Sequence, residues 1–261
     1  MLIIFVVENF FMIVYSNAKI NIGLNILSRR QDGYHNIASV FYPIKNLYDY
    51  IEVVKSNKYS IVTTGINLGS GVNLCTTAFN IIKKNYNIGN VKIHIHKKIP
   101  IGSGLGGGSS NAASVINILN KLFSLNLNYS QLEKISLKVG ADCPFFIHNS
   151  PKYVEGVGDI INDIDLCLSN YEIKFKHSET HVSTKEAYSD LDFNSFSDKK
   201  LNSAIRLPIE SWKENIVNDF EEKIFLRYPH LKKNKMEFYE EGAIYSSMTG
   251  TGSTIFGIFK K

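Results

Sequence analysis

The sequence predicts a chain of mixed strands and helices in two domains, on three observations. Its first third alternates apolar and polar residues as short strands do. A glycine-rich run, Pro100 to Asn111, joins such a strand to an amphipathic helix. After Gly156-Val157-Gly158 the texture changes to short strands and polar stretches. A length of 261 residues suits one large domain or two small ones, and 44% apolar with 12% aromatic residues is ample for a packed core. The boundary is placed near residue 158, giving domains at 12–158 and 159–261.

The opening, MLIIFVVENFFMIVY, is apolar, but Glu8 and Asn9 interrupt it and no basic stretch precedes it. It is too short to span a bilayer. Residues 1–11 read either as an upstream extension ahead of a natural start at Met12 or as an added edge strand. Ile20, Ile22 and Leu24 alternate with Asn21, Gly23 and Asn25 as a half-buried strand. A turn at Gln31-Asp32-Gly33 leads into a second strand over Val40 to Ile44. Ile51 to Val54 and Tyr59 to Thr63 give further strands, and Asn73 caps a helix running to about Tyr86. Val91, Ile93 and Ile95 return as a strand, with Lys92, His94 and His96 on its solvent face. Ala112, Val115, Ile116, Leu119 and Phe123 recur at helical spacing, Ser130 opens a helix ending near Gly140, and another helix spans Lys213 to Leu226.

The run PIGSGLGGGSSN holds five Gly and three Ser. Glycine lets a phosphate approach the backbone, and the helix that follows contributes unpaired N–H groups and the positive end of its dipole. No Lys follows the last Gly as a Walker loop requires, and no βαβ repeat surrounds it, so the run is read on its own geometry as a triphosphate cradle rather than a Gly/Ser linker. That points to a kinase. Phosphoryl transfer needs a cradle, a cation and a group that orients or deprotonates the acceptor hydroxyl. Lys19 sits within an apolar strand, where a lone ammonium is costly to bury unless a carboxylate or phosphate lies near; the alternative is a strand-face Lys reaching solvent. Asp142, in Gly140-Ala141-Asp142-Cys143-Pro144, follows a helix and precedes the apolar run Phe145 to Ile147, with Pro144 discouraging helical continuation. It is either a base beside a cation or a turn-capping Asp. Asp32-Gly33-Tyr34-His35 offers an aromatic face and an imidazole to a heterocycle, or is a turn with a surface His. Thr249-Gly250-Thr251-Gly252-Ser253 can bring backbone N–H groups to an anion.

Cys75, Cys143 and Cys167 are odd in number and lack CxxC spacing, which fits reduced thiols in the cytoplasm better than a metal or disulfide framework. The net charge is +5, but the lysine pairs at 83, 97, 199, 232 and 260 are dispersed and form no stripe with interleaved aromatics. Such a generally basic surface suits a small anionic substrate as well as nucleic acid, and the missing stripe counts against nucleic acid.

Together NAKINIGLNILSRRQDGYHNI, GLGGGSSNAA, GADCPFFI, YVEGVGD and MTGTGSTIFG resemble the GHMP kinase superfamily in its own order, from about Asn17 to Phe259. Within it they are similar to the kinases of cytidine-diphospho methylerythritol in the non-mevalonate isoprenoid pathway. The resemblance implies an α+β fold of two domains, the first like domain 2 of ribosomal protein S5 and the second ferredoxin-like. It implies transfer of the ATP γ-phosphoryl to the 2-hydroxyl of that substrate, with Asp142 as base and Lys19 as the cation beside it. Asn73 and Lys97 match adenosine contacts. The phosphates are matched by Pro100, Ile101, Gly102, Ser103, Gly104, Leu105, Gly106, Gly107, Gly108, Ser109 and Ser110. Tyr34 and His35 match the cytosine-recognition pair, Val157 supplies backbone contacts, Tyr188 matches an aromatic on the opposite ring face, and Asn21 and Thr184 lie near the erythritol end. Mg²⁺ comes with the nucleotide, with Ser109 or Ser110 as its protein contact and no dedicated metal site. The implied protein is a cytoplasmic monomer or weak homodimer with no nucleic-acid or membrane partner. The chain ends nine residues after Gly252, where members usually add a helix and strand, so an exposed sheet edge is expected in a second domain short at its C-terminus. Two other readings compete: a superfamily kinase acting on homoserine or mevalonate, and a basic RNA-binding module.

Overall fold

The computed structural model describes residues 3–7, 11–67, 73–180, 182–189 and 201–261, a mixed α/β chain with two sheets. Strand β1 (Ile3–Val7) pairs antiparallel with β2 (Phe11–Arg29), so this part of the apolar opening is an edge strand. Residues 1, 2 and 8–10 lie outside the described residues. From Ser16 to Ile26, β2 is buried on both faces rather than half-buried as its alternation implies. Its polar residues tolerate this because they have hydrogen-bond partners. Strand β3 (His35–Ser56) is one continuous strand. The polar interlude at Lys45 and Asn46, which separates two strands in the sequence reading, is an exposed stretch of the same strand.

Strand β4 (Ser60–Gly65), helix α1 (Leu74–Asn85) and strand β5 (Asn90–Lys97) form a crossover unit: β4 and β5 pair in parallel, which requires an intervening segment of helical length. Asn73 caps α1 by accepting from the Cys75 N–H at 2.9 Å. Val91, Ile93 and Ile95 of β5 are buried, while Lys92, His94 and His96 point to the open face, where Thr64 Oγ1 bridges the two imidazoles. Helices α2 (Gly107–Leu122), α3 (Tyr129–Leu137) and α4 (Cys143–His148) follow. The start of α3 is set by a capping box between Asn128 and Gln131, two residues before Ser130. Pro144 opens α4 instead of stopping a helix, because a missing N–H costs nothing in the first turn.

Strands β6 (Lys152–Gly156), β7 (Ile160–Asp163) and β8 (Tyr171–Lys176) come next, β6 pairing with Ile37–Phe41 of β3. They are followed by α5 (Thr184–Ser189), α6 (Leu201–Ala204), α7 (Trp212–Asn215), α8 (Glu221–Arg227) and α9 (Pro229–Glu240). The helix expected over Lys213 to Leu226 is α7 and α8, separated at residues 216–220. Strands β9 (Tyr245–Met248) and β10 (Ile255–Lys260) complete a three-stranded sheet of order β8-β10-β9. Because β10 is central and paired on both sides, the terminal strand is not an edge; among the described residues β8 and β9 flank it as the edges.

The chain divides into two compact units that are discontinuous in sequence, so a single cut near residue 158 does not describe it. One comprises Met1–Lys19, Pro43–Ile101 and Gly106–Ser150; the other Ile20–Tyr42, Gly102–Leu105 and Pro151–Lys261. The second has an apolar core that includes Leu24, Ile26, Phe220, Leu231, Phe238, Met248 and Ile255. Among the described residues no helix is long and apolar enough to cross a membrane, and the three cysteines are free.

Candidate active site

In the first unit the glycine run ends by opening α2. Gly106 occupies the N-cap with φ +70°, no side chain caps the helix, and its first turn holds no acidic residue. The N–H groups of Gly107, Gly108 and Ser109 precede the first intrahelical bond, from Ser110 N–H to Gly106 O at 2.9 Å. They form an anion site without a built-in competitor. One residue further, Asn111 is buried, and its Oδ1 has no hydrogen-bond partner among the described residues, a polar atom suited to meeting a ligand. Ser110 is committed to Ser16, hydroxyl to hydroxyl at 2.8 Å. Ser109 lies beside the Cys143 thiol, which burial pushes up to about 12 and so keeps protonated.

Strand β2 delivers Lys19 beneath this turn. A Cβ on Gly106 would come within 3.0 Å of the Lys19 stem and of the Phe146 ring, so glycine is required there for space as well as for φ. Lys19 Nζ lies 3.6 Å from Asp142 Oδ2, and the exposures differ sharply, 4% for the lysine side chain and 34% for the aspartate. Burial lowers the Lys19 pKa, and the Asp142 charge and hydrogen bond offset this only in part. Asp142 sits at the N-cap of α4, and the other end of that helix is tied to the same strand. Asn17 and Asn149 exchange amide hydrogen bonds at 3.1 and 2.7 Å.

Lys97 is buried and pairs with Asp49, a residue the sequence reading passed over. The other Asp49 oxygen accepts from the Lys98 and Ile99 N–H groups at 2.7 and 2.9 Å, fixing the corner from β5 into the glycine run. A signal for it existed. Asp49 falls in phase with buried Ile51 and Val53, and Lys97 in phase with Ile93 and Ile95, so two opposite charges share the core face of adjacent strands. Lys97 Nζ reaches the backbone of Gly107, 3.1 Å from where a Cβ would stand. Asn73 is half-buried at the start of α1 with its Oδ1 used in the cap, and Pro100 and Ile101 form the turn before the cradle.

In the second unit, Gly102, Ser103, Gly104 and Leu105 pack against the Thr249–Ser253 turn. Thr249 Oγ1 lies 3.0 Å from Gly104 O and accepts from Asn21 N–H at 3.0 Å. Asn21 also donates to Ser39 Oγ at 2.9 Å. His35 and Tyr188 stack at 4.8 Å, too close for a base between them, whereas Tyr34 is 64% exposed. Tyr188 therefore backs His35 directly. Burial and, secondarily, Arg29 lower the His35 pKa, favouring a neutral imidazole. The Val157 N–H donates to Asp159 at 3.0 Å, and Thr184 is exposed at the start of α5.

Family models for the N-terminal and C-terminal domains of GHMP kinases match residues 73–150 and 202–261. The 4-diphosphocytidyl-2-C-methyl-D-erythritol kinase of Azobacteroides pseudotrichonymphae is 42% identical over 252 residues, covering 96% of this chain and 94% of that protein. The chain belongs to the 4-diphosphocytidyl-2-C-methyl-D-erythritol kinase family. It is thus a phosphotransferase with the two-domain GHMP kinase fold. A crystal structure of 4-(cytidine 5'-diphospho)-2C-methyl-D-erythritol kinase aligns with TM-score 0.81 at 27% identity, covering 95% of this chain and 90% of that one. A mevalonate kinase structure aligns with TM-score 0.70 at 16% identity over 95% and 91%, a likeness of fold alone.

Two outcomes follow for this family member. Asp49→Ala leaves a buried ammonium and two N–H groups unpaired and should cost about 3–5 kcal/mol in denaturant melts, with Asp49→Asn milder because it retains an acceptor. Lys19, with its folded pKa below the ordinary 10.5, binds fewer protons when folded than when unfolded between those two values. Stability relative to Lys19→Met should therefore rise as pH increases through that window, read as the difference between the two proteins' melting temperatures.

Proposed function

We propose that the protein transfers the γ-phosphoryl group of ATP to the 2-hydroxyl of 4-diphosphocytidyl-2-C-methyl-D-erythritol in non-mevalonate isoprenoid precursor synthesis. The observation that carries this reading is the Lys19–Asp142 pair beneath the uncapped start of α2. The family's name supports the substrate. Asp142, more exposed than its partner, removes the acceptor proton as that oxygen bonds the γ-phosphorus and the bond to the bridging oxygen of ADP breaks. Lys19 steadies the alkoxide character developing on the acceptor, a role for a positive charge held out of bulk water. The Gly107, Gly108 and Ser109 N–H groups cradle the phosphates, and Asn73 and Lys97 hold the adenosine.

Mg²⁺ would be carried in with the nucleotide and would neutralise phosphate charge there, with the Ser109 or Ser110 hydroxyl as the oxygen contact a hard cation takes. In the second unit Tyr34 gives the cytosine a stacking face, the neutral His35 hydrogen-bonds its edge with Tyr188 behind, and Val157 supplies backbone contacts. Asn21 and Thr184 flank the erythritol. The protein works in the cytoplasm as a monomer or weak homodimer, without nucleic-acid or membrane partners.

A coupled ADP-release assay over a panel of alcohols should give turnover with the cytidine-diphospho substrate and not with homoserine or mevalonate; the reverse preference would overturn the reading. Asp142→Asn and Lys19→Met should each lower kcat by roughly 10² to 10⁴. Their stabilities should diverge: Lys19→Met leaves behind a carboxylate that is a third exposed, whereas Asp142→Asn takes the countercharge from a buried ammonium while keeping an acceptor near it. Near-normal turnover in both would refute the assignment. His35→Ala should raise KM for the cytidine substrate about tenfold or more with KM for ATP unchanged, the loss of one ligand hydrogen bond in a sheltered site.

A further inference from the structure

Between α7 and α8 the chain abandons helix at residues 216–220, and the side chains of Asn218, Asp219, Phe220 and, at the start of α8, Glu221 reach in different directions within the second unit. Asn218 is buried, and its amide donates to the carbonyls of Met248 and Gly250, both at 2.8 Å, while its oxygen accepts from the Phe220 N–H at 3.0 Å. Glu221 accepts from Met248 N–H at 2.7 Å and Ser247 Oγ at 2.9 Å, and is held by Lys235 at 2.6 Å. The end of β9 and the turn beyond it are thus gripped from one side. That turn also meets the glycine run, where a Cβ on Gly104 would come within 2.0 Å of Thr249 O. The turn cannot shift without moving the run.

Phe220 works elsewhere. It is 1% exposed, and its ring meets Tyr188 edge-on at 4.9 Å, the same Tyr188 that stacks on His35. Asp219 anchors the segment to β2, accepting from Ile26 N–H at 2.8 Å, while its own N–H donates to Leu24 O at 2.8 Å. We infer that residues 218–221 are positioning residues for both substrates: Asn218 and Glu221 set the Thr249–Ser253 turn against the phosphate-binding run, and Phe220 sets the Tyr188–His35 stack for the base. The inference rests on the proposed reading of which ligand each place receives. It assigns no contact with either ligand to these four residues, which separates it from the binding roles above.

Calorimetric titration of the full chain with Mg-ATP and, separately, with CDP tests it. Asn218→Asp keeps the acceptor for Phe220 but turns an oxygen toward two carbonyls. It should weaken ATP at least tenfold and leave CDP within twofold. Asn218→Ser, which adds no charge, must follow the same pattern, and it serves alone if the aspartate variant does not fold. Phe220→Leu should do the opposite, weakening CDP at least fivefold with ATP within twofold. Equal weakening of both ligands in both variants, or no change beyond twofold in either, would overturn the inference. A wild-type protein that binds ATP but not CDP would refute the cytidine reading, and the Asn218 variants with ATP alone would then decide the positioning role.

Discussion

A buried ammonium organises the first unit. Lys19 lies on a strand enclosed on both faces, its charge lies 3.6 Å from a carboxylate that is itself a third exposed, and burial lowers its proton affinity. Such a charge is stable only where every neighbour makes way for it. Gly106 gives up its side chain to accommodate the stem. Ser16 and Asn17, on the same strand, fasten α2 and α4 through Ser110 and Asn149, which keeps the helix start and the carboxylate at fixed distances from the amine. The polar residues of β2 are therefore a fastening for the two helices that bear the uncapped N–H groups and Asp142.

The succession of strand, glycine run and helix was legible because the three are adjacent in sequence and their physics is local. The partnership of Lys19 with Asp142 was not, since the two are separated by more than a hundred positions. On local grounds each was better read as a surface Lys and a turn Asp, and only the resemblance overrode that. Asp49 escaped notice although its phase on β3 marked it, because one charged residue among tyrosines resembles a strand end. One strand became two on paper, ending at Ile44 and resuming at Ile51, because the apolar alternation lapses between them, where Lys45 and Asn46 are exposed. Pro144 was misjudged because its effect depends on whether a helix is ending or beginning there, which composition does not say.

The second unit places its polar interior differently. Asn218, Asp219 and Glu221 satisfy backbone groups of two strands and a turn that the helix pattern would have left unpaired, and this is why the helix breaks at 216–220. A periodicity argument over Lys213 to Leu226 sees apolar spacing and continues through the break, since the hydrogen bonds that compete with the helix come from residues far along the chain. The division of the molecule was hidden for the same reason: strands β2 and β3 and the glycine run each serve both units, so no linker marks a boundary.

The arrangement of the small sheet bears on synthesis. Strands β8 and β9 are paired with β10 and not with each other, and β10 is made after both. Strand β8 ends at Lys176 and β10 begins at Ile255, so while the residues between them are made β8 waits with open hydrogen-bonding edges and no template, and β9 joins it only just before β10 emerges. The sheet assembles only when its keystone emerges, so a nascent chain stalled short of that point carries a half whose core cannot close and which a chaperone has to shield.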